Sequence, residues 1–134
     1  MKYRLLNYLA CPYCRDKGFP LKLIVIETKV YEKRSLPPDV KKPLCDLYCA
    51  KLGKYVKEVE GELPCEECIK IEVATGVLYC PNCLRWYPII EEIPRLLPDN
   101  YRNKNEDLEF LRRYSEKIPD DIKLRGKPFN LSEG

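Results

Sequence analysis

With 134 residues, 45% of them hydrophobic and 34% charged, the chain has room for one domain built around one core. No apolar run approaches the ~20 residues of a membrane span, and residues 1–9 are too short and polar for a signal peptide, so a cytoplasmic protein is expected. Eight cysteines, no histidine and a formal net charge of only +3 exclude mixed Cys/His metal sites and His-based catalysis, and fall short of a nucleic-acid footprint.

Residues 2–10 read as a short helix, because Tyr3, Leu6 and Leu9 recur at threes with Leu5 beside them. Cys11-Pro12 breaks it. Gly18-Phe19-Pro20 marks a turn, and the β-branched run 21–30 a strand. Pro37, Pro38 and Pro43 punctuate a loop. Leu44, Leu47, Tyr48 and Leu52 fit a helix that ends at Gly53. Ile69, Ile71 and Val73 alternate with charged residues, the period of a half-buried strand. Thr75-Gly76 is expected to turn the chain toward Cys80. Residues 84–90 read as an apolar strand whose Pro88 implies an edge or a bulge. A tail helix is expected over 106–117, and residues 125–130 look irregular.

The cysteines fall into two sets. Cys11-Pro12-Tyr13-Cys14 and Cys80-Pro81-Asn82-Cys83 are matching Cys-x-x-Cys turns, each able to aim two thiolates at one ion, and two such turns complete a tetrahedral Zn²⁺ site. Between them lie Cys45 and Cys49, four apart on the expected helix, and Cys65 and Cys68 on a third short turn. These four can bind a second zinc or form two disulfide bridges. A charge-rich composition without glutamine leans toward a thermophile, where intracellular disulfides occur. A pairing of Cys65 and Cys68 with Cys80 and Cys83 is a lower-ranked alternative.

The expected fold is therefore α+β. A small zinc ribbon with short antiparallel strands and an N-terminal helix is split between residues 1–26 and 76–98. A helix-containing central domain is inserted at 27–75, and a tail with one helix fills 99–134.

A four-thiolate zinc site has no open coordination position for catalysis. The sequence holds no phosphate loop or nucleophile motif, and its adjacent acidic pairs read as solvated turns. Trp86, Tyr87, Ile89, Ile90, Ile93, Leu96 and Leu97 are more apolar side chains than one thin ribbon can cover, which makes this stretch a candidate partner-binding surface. The five basic side chains of residues 1–26 are offset only by Asp16 and read as a solvated face.

The segment Leu5-Leu6-Asn7-Tyr8-Leu9-Ala10-Cys11-Pro12-Tyr13-Cys14 resembles the opening of the multifunctional methyltransferase subunit family, the small zinc-binding activators of tRNA methyltransferases. Residues 75–83, with Arg85-Trp86-Tyr87-Pro88-Ile89 and Ile93-Pro94, resemble its second half, and Gly126-Lys127-Pro128-Phe129 is similar to archaeal members. The resemblance implies a ribbon with an inserted domain and no activity of its own. It implies a subunit that binds class I S-adenosylmethionine-dependent methyltransferases, covers an apolar surface and extends the partner's sheet, touching RNA only through that partner. Two residues depart from the pattern: Leu84 and Glu92 stand where many members have glycine. The alternative reading is a nucleic-acid-binding zinc ribbon of the transcription or translation machinery, and a third is a Cys-x-x-Cys redox protein.

Overall fold

The structure, a computed structural model, describes residues 1–34, 48–59, 61 and 65–133. Its strands are Lys22–Val30 (β1), Tyr48–Cys49 (β2), Lys54–Tyr55 (β3), Ile71–Tyr79 (β4), Trp86–Ile90 (β5) and Ile93–Pro94 (β6). Its helices are Cys65–Cys68 (α1), Lys104–Arg113 (α2) and Asp120–Lys123 (α3), with a 3₁₀ helix at Tyr3–Tyr8. An antiparallel sheet runs β1-β4-β5-β6, and β2 and β3 form a separate small hairpin. No helix among the described residues is long and apolar enough to cross a membrane.

The N-terminal helix is 3₁₀ because its apolar residues recur at threes. In a three-residue turn Tyr3 and Leu6 eclipse one another, and both are buried on the sheet. This face of the sheet packs Met1, Tyr3, Leu6, Leu21, Val73, Leu78, Tyr87 and Ile89 into one core.

β1 and β4 are each nine residues long and stay paired from Lys22↔Tyr79 to Val30↔Ile71. The turn expected at Thr75-Gly76 does not occur, because both residues lie inside β4. The sheet takes up the local irregularity as register shifts around Glu27. Across it the inward phase changes: Ile71 and Val73 face the first core before the shift, whereas Leu78 and Cys80 do after it. Gly76 is needed here for close approach, since a Cβ would stand 2.6 Å from the Ile24 carbonyl oxygen.

The helix expected from Leu44 begins outside the described residues, and its described part is not helical. Tyr48–Cys49 is strand, followed by a turn that Gly53 closes at φ +68°. The cause is distant in sequence. The Asn7 side chain donates to the Tyr48 carbonyl and accepts from the Tyr48 N–H, each at 2.8 Å, so the groups a helix would use are already paired.

The tail departs furthest from expectation. Asn103 caps α2 by accepting from the Glu106 N–H at 3.1 Å, so the helix starts at Lys104 rather than 106. A second helix, α3, follows Pro119, correcting the expectation of one tail helix. Phe110, Leu111, Ile118 and Ile122 pack on Ile26, Val77, Tyr79 and Trp86, forming a second core on the other face of the sheet. The ribbon's second face is therefore covered by the chain's own tail. Residues 125–130 look irregular but are held: Lys127 N–H donates to the Leu84 carbonyl at 2.8 Å and its carbonyl accepts from Trp86 N–H at 3.0 Å.

Candidate metal centre and interface edge

The two Cys-x-x-Cys turns have the same backbone. Arg15 N–H donates to the Cys11 carbonyl and Leu84 N–H to the Cys80 carbonyl, both at 2.8 Å. The residue after each second cysteine is left-handed, Arg15 at φ +50° and Leu84 at φ +67°. In each turn the first cysteine's N–H is also taken, by Gly18 O at 3.1 Å and Arg85 O at 2.8 Å. Gly18 must lack a side chain, since its Cβ would fall 2.5 Å from that of Cys11. Thus each turn aims two sulfurs the same way, and β4 and β5 carry the second turn against the first.

The result is that one sulfur from each of Cys11, Cys14, Cys80 and Cys83 lies within 4.8 Å of all the others. Cys11 and Cys83 Sγ are 3.5 Å apart. Four sulfurs at ~2.3 Å from one tetrahedral ion stand about 3.8 Å apart, so the cluster has the right size. Cys11 and Cys80 are buried, Cys14 and Cys83 half-buried. Such a set can hold a metal ion such as zinc. It is the one group of this kind among the described residues.

The electrostatics fit a cation. Burial pushes the Cys80 thiol up to about 12 and raises Cys83 as well. Burial also opposes ionisation of Cys11, but hydrogen bonds from Tyr87 and from the backbone of Cys14 and Tyr13 outweigh it and bring it to about 7. Buried sulfurs this close do not all ionise on their own; a dication lets them do so. The Tyr87 hydroxyl lies 3.3 Å from Cys11 Sγ, and toward a thiolate only the hydroxyl can donate. Asn82 Nδ2 donates to Cys14 Sγ at 3.1 Å. Neither outer partner stood out in the sequence, although Tyr87 falls within a stretch singled out for its apolarity.

Around this centre, Arg85 ties the parts together. Its guanidinium lies 3.7 Å over the Tyr13 ring and grips Asp99 with two nitrogens, at 3.0 and 2.9 Å. Asp99 N–H in turn donates to the Tyr13 hydroxyl at 2.8 Å. The Arg85 hydrogen bonds hold the Asp99 carboxyl below its ordinary range. The first turn, the second turn and the start of the tail are thereby joined.

Of the second cysteine set, Cys45 lies outside the described residues. Cys49 is buried at the end of β2, and Cys65 and Cys68 begin and end α1.

The stretch expected to meet a partner divides in two. Trp86, Tyr87 and Ile89 are 0%, 1% and 0% exposed, and so belong to this chain's own cores. Trp86 faces the tail, where its ring stacks on Phe110. Ile90 and Leu96 are half-buried, packed against the second and first cores respectively. Ile93 and Leu97 are exposed, at 58% and 43%. Pro88 is buried in β5 and contributes a bond only on the β6 side, where its carbonyl accepts from Arg95 N–H at 3.0 Å. In an extended residue N and O point the same way, so the missing N–H takes nothing from the β4 ladder.

A search of curated proteins gives no match. A family model described as Trm112p-like protein matches residues 2–92, a span that starts before the first Cys-x-x-Cys turn and ends in the β5–β6 hairpin. The chain therefore belongs to the Trm112p-like family of methyltransferase activator subunits, the family that its opening and its two cysteine turns resemble.

Proposed function

We propose that the chain is a non-catalytic, cytoplasmic zinc-binding subunit that binds, stabilises and activates class I S-adenosylmethionine-dependent methyltransferases acting on tRNA or other translation components. The observation that carries this reading is Ile93 on the terminal strand β6, at 58% more exposed than Val30 (52%) and Val25 (39%) on the opposite edge strand β1. A terminal strand offers main-chain groups for pairing with a partner's sheet, and its exposed side chain gives that pairing specificity. Ile93 and Leu97, with parts of Ile90 and Leu96, form the contact, while Trp86, Tyr87 and Ile89 support it from within.

In this reading Cys11, Cys14, Cys80 and Cys83 hold one Zn²⁺. Four thiolates leave it no open position, so its role is structural: it fixes the turn from which β5 and β6 are presented. The central residues Cys45, Cys49, Cys65 and Cys68 form a separate structural cluster, as a second zinc site or two disulfides. Metal analysis with thiol counting under denaturing conditions separates the two: two zinc per chain against one zinc with two bridges.

The functional test is co-expression with class I methyltransferases, followed by affinity capture and methyl-transfer assays. Co-purification as a heterodimer, with methylation that needs this chain, is the expected outcome. Salt-dependent RNA binding by the chain alone, with no enzyme captured, would favour the nucleic-acid-binding alternative instead.

A further inference from the structure

β5 and β6 are joined by two residues, Glu91 and Glu92, and both are left-handed, at φ +50° and +69°. Two left-handed central residues are what a two-residue hairpin needs to match strand twist, and glycine or asparagine normally supplies them. Here neither does. The ladder that this turn closes has only two residue pairs, Ile89↔Pro94 and Ile90↔Ile93. So short a ladder with an unfavourable turn is marginal alone. Something else must hold it.

The holding group comes from the far end of β1. Tyr31 Oη donates to Glu92 Oε1 at 2.7 Å, a bond to a charged acceptor. Tyr31 is itself fixed: its N–H donates to the Lys70 carbonyl at 2.6 Å, and the Arg34 guanidinium lies 3.9 Å over its ring. Arg34 is anchored in turn on Glu72, Nη2 to Oε2 at 2.7 Å, and on the Ile69 carbonyl at 3.3 Å. The backbone of the hairpin tip is tied to the same strand, with Glu92 N–H donating to the Ala74 carbonyl at 3.0 Å.

We infer that Tyr31 is a positioning residue for the interface edge: through Glu92, it latches the left-handed hairpin turn and so presents β6 in pairing geometry. The inference rests on the proposed docking of β6, but the latch itself is tested without a partner.

The test is native-state amide exchange on the full zinc-loaded chain, comparing wild type, Tyr31→Phe, Glu92→Gly and the double variant. Tyr31→Phe removes only the hydroxyl. It should speed exchange of the Glu92 and Arg95 amides about tenfold, the equivalent of one hydrogen bond to a charged group, and leave the β1–β4 ladder unchanged. Glu92→Gly removes both the acceptor and the steric cost of the left-handed turn, so adding Tyr31→Phe to it should change nothing further. Affinity for a captured methyltransferase should fall in Tyr31→Phe and return in the double variant. Unchanged exchange in Tyr31→Phe, or the same acceleration in both backgrounds, overturns the latch. Faster exchange with undiminished affinity overturns the positioning role. A wild-type chain that captures no methyltransferase contradicts the docking reading instead, while the exchange data still decide the latch.

Discussion

The Tyr87 hydroxyl and the Cys11 sulfur, 3.3 Å apart, join the four-cysteine cluster directly to the core, because the ring that carries the hydroxyl is buried at 1% exposure in the first core, with residues of β4 and the N-terminal helix. Burial, then the contact with Cys11, raises the Tyr87 phenol above its ordinary range, so it stays a donor at any working pH. A donor aimed at a metal thiolate draws off charge and fixes the sulfur in place.

Tyr87→Phe should therefore keep the fold and weaken zinc. Loss of an outer hydrogen bond to a ligand typically costs ~10–100-fold in metal affinity. Competition with a chromophoric chelator reads this. An unchanged affinity would mean that Tyr87 serves packing only.

Leu84 takes a left-handed conformation that costs a non-glycine residue roughly 1–2 kcal/mol, and at 37% exposed it stands outside both cores. Leu84→Gly should raise stability by about 1 kcal/mol with zinc content unchanged, read by denaturant midpoint at constant slope. A lower midpoint would show that the side chain contributes more than the backbone costs.

Phe110 closes the second core over Trp86, with ring centroids 5.9 Å apart and planes 20° from parallel. Phe110→Ala should cost ~3–5 kcal/mol and move the emission of the sole tryptophan to the red. The four-sulfur cluster lies on the first core and should keep its metal. A melt and emission like those of wild type would indicate that the tail is not the cover described.

How much of this was legible in the sequence depends on range. The four-cysteine cluster was legible because Cys-x-x-Cys sets its geometry within four residues, and two matched turns need only be brought together. β1, the alternation into β4 and β5 were legible from apolar period. What escaped depends on partners far along the chain. Tyr48 is extended because Asn7, 41 residues away, holds its backbone. Trp86 looked like surplus apolar surface because nothing local announces that Phe110, Leu111 and Ile122 fold back over the sheet's other face, and Tyr87 and Ile89 because nothing local announces that they join Met1, Tyr3 and Leu6 in the first core. The β5–β6 hairpin lacks a glycine signal at Glu91-Glu92, where a distant tyrosine supplies part of the hold.

The proposed docking of a methyltransferase on β6 is decided by comparing the affinity of wild type and Ile93→Glu for a methyltransferase that wild type captures. Ile93 is exposed in the isolated chain, so the variant should retain its zinc content and melting curve. Buried against a partner, an unpaired carboxylate costs several kcal/mol, so affinity should drop by at least ~100-fold and stimulation should disappear. A folded, zinc-loaded Ile93→Glu chain that binds and stimulates the enzyme like wild type would show that β6 is not the docking edge.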